Sequence, residues 1–477
     1  MGDEISNGRN NLMGEVIRYI LDLGAAVFLP IIMIAIGLGV KMKPKKAIIC
    51  GLTLGIAFVA INVVLGFMFT TISPAASAFV KNTGIALKTV DVGWSPVASI
   101  SWAWPYALLI FPIQIGLNIL MLAFGWTNCL NVDMWNVWGK IFTATLVVSL
   151  TGSVPVALIM AAVQVVFELK CADMMEKSIS GMSRIPNVTC AHVMNLECVI
   201  LAPINKLLDY IPGINNINID AEKLKEKIGI FGENSVMGFL VGVLIAALGR
   251  CSVKTILQTG VGIAAALVLF PIVANFFIEA LGPIAEAAGD FMRKKYKGRN
   301  FYIGVDWSVL GGRTELWVVS ILIVPVELIL AIILAKFGIN SVLPLAAIIN
   351  IGATVPALLV TRGNIVRMFI MQVITTPIYL VVSSYFAPII TKLAIEQRTL
   401  DVPAGQLLTF YGIEGPELRW ALIKAANFMN GGIMVFIPII IFTLLFIWTG
   451  KYMKKRDAFY DAPCDDREID IIETSVE

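Results

Sequence analysis

Residues 47–70 read AIICGLTLGIAFVAINVVLGFMFT, a stretch without a single acidic or basic side chain. As a helix, this stretch is long enough to cross a hydrocarbon core of roughly 30 Å. Similar apolar runs recur along the whole chain, which is 58% hydrophobic and only 14% charged. Soluble proteins carry about 25% charged residues. The sequence therefore predicts a membrane protein with many crossings.

The apolar runs also indicate which kind of element spans the membrane. Backbone polar groups in the hydrocarbon must be paired internally, which only helices and closed barrels achieve. The runs are long and lack the strict alternation of apolar and polar residues that barrel strands need. We therefore predict an all-α polytopic bundle.

Three basic clusters predict the orientation of the chain, because Lys and Arg are retained on the cytoplasmic side. They are Lys41–Lys46, Arg293–Arg299 and Lys451–Arg456. If all three lie in the cytoplasm, an even number of crossings separates each pair. One apolar run precedes the first cluster. The N-terminus is therefore predicted outside the cell and the C-terminus inside.

Counting apolar runs under this parity gives about eleven transmembrane helices. The runs are 17–40, 47–70, 101–123, 141–168, 186–207, 234–250, 254–280, 315–336, 341–361, 365–390 and 428–450. Run 186–207 is the least apolar and is included because parity requires one more crossing. A re-entrant hairpin enters and leaves on the same side of the membrane, so it could replace a pair of spans without changing the parity. Residues 1–457 are predicted to form one membrane-embedded unit, and residues 458–477 an acidic, disordered cytoplasmic tail.

Three short segments place a carboxylate beside a tryptophan, next to an apolar run. They are Val90–Ser95, Asn131–Trp138 and Gly304–Ser308. An ionisable group near the bilayer is costly and usually functional. A carboxylate accepts hydrogen bonds from hydroxyl groups, and an indole offers a flat face to C–H groups. This combination predicts a carrier for a sugar-like solute.

The first and third of these segments also resemble each other. Both contain Asp followed closely by Trp-Ser, and both precede an apolar run. Transporters often place their sites on paired interruptions in two halves of the chain. We therefore predict an internal repeat in which Asp91 and Asp306 are counterparts.

The chain resembles the enzyme IIC membrane subunit of galactitol-type permeases, which belong to the bacterial phosphoenolpyruvate-dependent sugar phosphotransferase system. Matching segments occur in order over about residues 14–450. They are Arg18–Gly24, Val90–Trp94, Asn131–Trp138, Ile211–Gly213, Phe231–Glu233, Ile303–Asp306 and Arg362–Asn364. One departure is Gly139-Lys140 after Trp138, where the family pattern has a histidine, and the region of His192 is also offset. The carried polyol therefore stays open.

The resemblance implies inward transport of a polyol or sugar that is released as a phosphate ester. The phosphoryl group would come from a phosphocysteine on a separate enzyme IIB, itself supplied through enzyme IIA. The related ascorbate permeases imply eleven spans, a homodimer in the bacterial cell membrane with its lipid, and a core domain beside a scaffold-like domain. The chain would thus be the membrane component of a phosphotransferase complex.

The residues agree with a phosphoryl donor on another protein. The chain contains no phosphate-binding glycine loop, no kinase signature and no metal-ligand spacing. Cys464 lies in an acidic tail, which disfavours a reactive thiolate. We predict no cofactor, no metal and no nucleic-acid partner.

Candidate site residues follow from the chemistry of phosphoryl transfer, which needs a group to accept the hydroxyl proton. Asp306 and His192, the single histidine, are the catalytic candidates. Candidate substrate ligands are Asp91, Gly93, Trp94, Ser95, Asp133 and Glu197. Four of these have other readings. Asp91 could cap the following helix, and Asp133 could belong to an interfacial aromatic belt. Trp94 could be an anchor near the end of a span, and Glu197 could pair with Lys206.

Two other functions stay open from the residues alone. A proton- or sodium-coupled secondary transporter would use the same carboxylates as coupling sites. A channel would need a ring of like charges or a repeated filter segment, and the sequence contains neither.

Overall fold

The computed structural model describes residues 25–83, 87–214, 217, 219, 233–295, 301–400, 402 and 405–461. The predicted motif Arg18–Gly24, most of Phe231–Glu233 and the predicted tail beyond Asp461 lie outside these residues. In chain order the helices are α1 (Ala25–Gly39), α2 (Pro44–Thr83), α3 (Trp94–Trp102), α4 (Ile110–Ala123), α5 (Trp138–Thr151), α6 (Val154–Ser183), α7 (Cys198–Leu208), α8 (Asn234–Leu248), α9 (Val253–Lys295), α10 (Thr314–Leu322), α11 (Val324–Lys336), α12 (Ile351–Thr361), α13 (Ile365–Glu396), α14 (Pro416–Ala426), α15 (Phe428–Gly431) and α16 (Ile437–Asp461).

Six of the described helices are long and apolar enough to cross a membrane, or seven if a bent pair counts as one span. The bent pair is α3 with Ala107–Ala123, and its two parts meet at 92°. A straight helix over 101–123 is therefore wrong. Shorter apolar helices cover Leu29–Gly39, Trp138–Thr151, Ser235–Leu248 and Ile351–Thr361. The multi-pass helical fold is confirmed, and the number of crossings stays a prediction.

Two small parallel sheets lie among the helices, so the prediction of helices alone was incomplete. The strands are β1 (Thr89–Asp91), β2 (Cys129–Asn131), β3 (Val188–Thr189), β4 (Tyr302–Gly304), β5 (Val342–Leu343) and β6 (Leu407–Thr409). The first sheet has the order β5-β1-β6 and the second sheet the order β2-β4-β3. Every neighbouring pair is parallel. The strands pair backbone groups that would otherwise lack partners inside an apolar fold.

The strand order supports the predicted internal repeat. Strands β1–β3 belong to the first half of the chain and β4–β6 to the second. In each sheet the central strand comes from the other half, because β1 lies between β5 and β6 while β4 lies between β2 and β3. Within the described residues, each half completes its sheet only with a strand from the other half.

Side-chain contacts agree with this two-fold relation. Thr189 of β3 donates its hydroxyl hydrogen to the Ala172 carbonyl of α6 over 2.6 Å. Thr409 of β6 makes the same contact with the Ser383 carbonyl of α13 over 2.7 Å. Each threonine thus ties the last strand of its half to the long helix that precedes it.

The register of the strands changes which residues are counterparts. Asp91 pairs with Thr409, and Gly304 pairs with Thr189. Because the two threonines are equivalent, Asp91 corresponds to Gly304, and Gly93 corresponds to Asp306. The prediction that Asp91 and Asp306 are counterparts was therefore wrong by two positions.

Three more predicted spans are interrupted. Run 141–168 breaks between α5 and α6, where Gly152 adopts a left-handed φ of 68° and the Ser153 hydroxyl caps α6. Run 186–207 contains β3, a 3-10 helix at Val193–Glu197 and the short helix α7. Run 341–361 begins with β5 and becomes helical only at α12. Apolar composition hid these breaks, because buried strands and loops are as apolar as helices.

Helices α1, α2, α8 and α9 pack closely on one another through small residues. A Cβ atom on Gly51 of α2 would overlap the Ile34 side chain of α1. One on Gly238 of α8 would lie 2.7 Å from the Ala264 Cα atom of α9. Glycine thus lets neighbouring backbones approach, as is common between membrane helices.

Candidate functional site

The second sheet brings three of the predicted site residues to one edge. Asp133 follows β2, His192 follows β3 and Asp306 follows β4. Because parallel strands end on the same side of a sheet, the loops after them meet there. Run 186–207 therefore delivers His192 on a loop rather than on a spanning helix.

Asp133 and Asp306 are joined by one amide. The Asn136 Nδ2 atom donates to Asp133 Oδ2 over 2.5 Å and to Asp306 Oδ1 over 2.8 Å. The other Asp133 oxygen accepts the backbone N–H groups of Trp135 and Asn136. The Ser308 hydroxyl donates to Asp306 Oδ2 over 2.6 Å. The two carboxylates therefore form one bridged pair.

The bridged pair forms part of the wall of a narrow cleft with a cavity volume of about 20 Å³, which is room for about one water molecule. The opposite wall is apolar and comes from α1, α2 and α9. Its residues are Leu29, Met33, Leu54, Phe58, Phe277 and Leu281. Asp133 is buried, whereas Asp306 is partly exposed. A ligand larger than water would therefore fit beside Asp306 only after the apolar wall had moved away from the bridged pair.

Burial and mutual repulsion make the pair hard to ionise twice. Loss of hydration raises the pKa of Asp306 to about 6, and the negative charge of Asp133 contributes to the rise. Burial also raises the pKa of Asp133, although hydrogen bonds from Asn136 oppose the shift. Near neutral pH, Asp306 is thus poised to take up a proton, as a general base must be.

His192 lies beside Glu414, a residue that was not predicted. The His192 Nδ1 atom accepts the Met194 backbone N–H over 3.2 Å, so in the neutral ring the proton is on Nε2. That Nε2 atom is 3.9 Å from Glu414 Oε2. Burial lowers the pKa of His192 and raises the pKa of Glu414 to about 8. In this arrangement both groups are mainly neutral at pH 7.

Two buried cations lie behind the bridged pair. Lys140 Nζ contacts the Asn136 carbonyl at 3.2 Å and Glu168 Oε2 at 2.5 Å, and both charged side chains are 1% exposed. Arg419 donates to the Gly139 carbonyl over 2.6 Å and to the Thr143 hydroxyl over 2.5 Å. The amino group of Lys140 and the guanidinium group of Arg419 are thus both held by buried polar partners.

Asp91 is bound by backbone groups of the first sheet. Its Oδ1 atom accepts the N–H groups of Gly93 over 3.2 Å and Tyr411 over 3.1 Å. Its Oδ2 atom accepts the Ala347 N–H over 2.7 Å. These donors follow β1, β6 and β5, so the carboxylate ties the three strand ends together. Its predicted contact with substrate stays a prediction.

The residues after Asp91 are more open. Gly93 has a φ of 76° and precedes α3, and Ser95 is exposed. Trp94 is 43% exposed, and its ring lies 6.4 Å from the ring of Trp138. The first and second acidic-aromatic segments therefore meet through their tryptophans, although their strands belong to different sheets.

Glu197 lies elsewhere, beside Glu417 of α14 and Tyr379 of α13. Burial raises the pKa of Glu197 well above its usual range, and the adjacent Glu417 carboxyl raises it further. Glu197 follows Thr189 by the same number of residues as Glu417 follows Thr409. The two glutamates are thus counterparts in the repeat that contact each other.

The family of the chain follows from sequence comparison. The model for the family "PTS system sugar-specific permease component", EIIC-GAT, matches residues 19–404. The chain belongs to this family. The permease is 32% identical to the PTS system galactitol-specific EIIC component of Escherichia coli K12 over 449 residues, or 94% of its own length and 97% of that protein.

Other relatives give the same result. The galactitol-specific EIIC component of Escherichia coli O157:H7 matches with the same identity and coverage. A putative permease IIC component of Escherichia coli K12 is 30% identical over 431 residues, 90% of the permease and 98% of that protein. The permease is therefore a multi-pass membrane component of sugar or polyol uptake by the phosphotransferase system (PTS), working with EIIB and EIIA. These relatives support uptake by the phosphotransferase system and not the alternative of ion-coupled secondary transport.

Sequence reasoning found the carboxylates of the permease but missed the residues that hold them. Those residues are Asn136, Lys140, Glu168, Glu414 and Arg419. Asn136 and Lys140 lie in or beside a predicted segment, and their polar side chains before an apolar run were a usable signal. Glu414 and Arg419 lie between the predicted runs 365–390 and 428–450, and only the folded chain places them near His192.

Proposed function

We propose that the permease takes up a galactitol-like polyol and releases it inside the cell as a phosphate ester. The observation that carries this proposal is the bridged pair Asp133–Asp306, which lies after β2 and β4 in the wall of the narrow cleft. A polyol presents several hydroxyl donors, and the two carboxylates offer several acceptors. The galactitol-specific relatives support the choice of substrate class.

In the proposed reaction Asp306 acts as the base. A substrate hydroxyl oxygen attacks the phosphorus of the phosphocysteine on EIIB, forming the O–P bond while the S–P bond breaks. The hydroxyl proton passes to Asp306, and the thiolate leaves with EIIB. Asp133 would support Asp306 through the shared Asn136 amide, and the exposed Trp94 would offer a flat face to C–H groups. His192, whose Nε2 atom is 3.9 Å from Glu414 Oε2, is the second candidate for accepting the hydroxyl proton.

The proposed arrangement in the membrane extends the described helices. We place the N-terminus outside and the C-terminus in the cytoplasm, with about eleven crossings that include the short apolar helices. Helices α1, α2, α8 and α9 would form the scaffold-like domain, and the two-fold repeat would form the core. Exposed apolar side chains such as Ile440, Ile441 and Leu444 of α16 would face lipid or a second subunit of a homodimer.

Uptake by membrane vesicles tests the function. Vesicles that contain the permease should convert external labelled galactitol to internal galactitol phosphate, but only with EIIB, EIIA and phosphoenolpyruvate-dependent phosphorylation. Vesicles without the permease are the control. Accumulation of free galactitol on a proton or sodium gradient would overturn the proposal. If the permease phosphorylates another polyol and not galactitol, phosphorylating uptake of a polyol is supported, but galactitol itself is rejected as the substrate.

A further inference from the structure

Asn136 occupies a special place between the two carboxylates of the candidate site. Both hydrogens of its amide nitrogen are used, one by Asp133 and one by Asp306. The residue is 7% exposed, so water has little access to replace it. A single neutral side chain therefore holds two acidic groups that repel each other.

We infer that Asn136 is the positioning residue of the site, which keeps the Asp133 and Asp306 carboxylates side by side and sets how readily Asp306 exchanges a proton. The inference rests on the proposed function, in which Asp306 accepts the hydroxyl proton. It adds a residue whose amide acts through both carboxylates without touching the reacting atoms.

Asn136 is itself anchored by the backbone. Its N–H group donates to Asp133 Oδ1 over 3.1 Å. Its carbonyl accepts from Lys140 Nζ, which is paired with Glu168. Because Lys140 and Glu168 are buried, this anchor is not weakened by solvent screening. The amide therefore stays in place when the charge on the carboxylates changes.

Among the residues that the structure describes, few other groups lie close enough to Asp306 to stabilise its charge. The titratable groups around Asp306 are Asp133, Cys190 and Glu414, with Lys140 on the far side of Asp133. The cleft walls from α1, α2 and α9 are apolar. Hydrogen bonds from Ser308 and then from Asn136 stabilise the ionised Asp306, and of these two residues only Asn136 also bonds to Asp133. Removing the Asn136 amide should raise the proton affinity of Asp306.

The test is pH-difference infrared spectroscopy of the purified permease, which needs no substrate. The carboxyl band of Asp306 is identified by its loss in Asp306→Asn. Asn136→Leu keeps a similar volume but removes both donors, and it should move the titration midpoint of that band upward by about one pH unit or more. Asp133→Asn removes the repelling charge and should move the midpoint downward. Asn136→Ser keeps one donor and should give a smaller upward shift.

Asn118→Leu is the matched control. Asn118 is another buried amide, which bonds to the Cys129 carbonyl and the Asn131 N–H but not to either carboxylate. It should lower thermal stability without moving the midpoint. An unchanged midpoint in Asn136→Leu, or an equal shift in Asn118→Leu, would overturn the inference. If Asn136→Leu fails to fold, the other two variants test the inference. The titration midpoint of Asp306 should then move upward in Asn136→Ser and downward in Asp133→Asn.

Activity separates this inference from the proposed function. In vesicles, the acid limb of phosphorylation should move to higher pH in Asn136→Ser, because a proton on Asp306 blocks the base. Failure of the wild-type permease to phosphorylate any polyol would reject the proposed function and leave the infrared result standing. A shifted infrared midpoint with an unshifted acid limb would reject the role of Asn136 in the reaction.

Discussion

At the scale of single residues, Asp91 and Asp306 show how similar sequences acquire different tasks. Both carboxylate oxygens of Asp91 accept hydrogen bonds from backbone N–H groups that follow the strands of the first sheet. Asp306 is partly exposed to the cleft and bonds to two side chains. The sequence predicts that both carboxylates matter, but two of the three donors to Asp91, Ala347 and Tyr411, lie 256 and 320 residues away along the chain and carry no local signal.

The two aspartates should therefore respond differently to the same substitution. Asp91→Asn puts an amide NH2 group where acceptors are needed, and we expect a loss of about 1–3 kcal/mol in stability. Asp306→Asn should keep the thermal midpoint of the wild type and lose phosphorylation. Thermal unfolding in detergent and vesicle uptake measure the two effects. A stable Asp91→Asn permease without uptake would instead make Asp91 a substrate ligand.

At the scale of elements, long uninterrupted apolar runs were predicted well and interrupted runs were not. Runs 47–70 and 365–390 lie within α2 and α13. Runs 141–168, 186–207 and 341–361 contain breaks or strands, because a strand of two or three residues is too short to show a period. The site lies at such interruptions, so the least predictable backbone carries the chemistry.

The start of α14 offers a test at this scale. Gly415 has a φ of 57°, and a Cβ atom there would lie 2.8 Å from Val193 Cγ2 and 3.1 Å from the Val193 carbonyl oxygen. Gly415→Ala should therefore cost more than the roughly 1–2 kcal/mol of a left-handed alanine, and should weaken the contact between His192 and Glu414. Gly152→Ala is the matched control, with a φ of 68° and no atom within 4 Å. Equal loss of thermal stability in both variants would contradict the proposed close contact.

At the scale of the whole molecule, the two halves meet at Glu197 and Glu417. Glu197 and Glu417 occupy equivalent positions after β3 and β6. The repeat therefore places two corresponding glutamates beside each other. Burial raises the pKa of both carboxyls, so the folded chain holds more protons than the unfolded chain above the ordinary pKa of Glu. Stability should then fall as pH rises from that value towards the folded pKa.

Glutamine at either position tests this contact. Glu197→Gln supplies a permanent hydrogen-bond donor, so the pair no longer depends on a bound proton. We expect a smaller fall in thermal midpoint between pH 5 and pH 8 than in the wild type. Glu417→Gln should behave alike, because the two positions are equivalent. An unchanged pH dependence in both variants would show that the two carboxyls do not share a proton.

The exchange of central strands also has a consequence for biosynthesis. Strand β1 (Thr89–Asp91) is synthesised long before its partners β5 (Val342–Leu343) and β6 (Leu407–Thr409). Until then, β1 remains an unpaired edge beside helices already in the membrane. Pairing over such long sequence separations is slow, so the first sheet of the permease is incomplete until β5 and β6 have been synthesised. A chain that terminates before β6 cannot form this sheet.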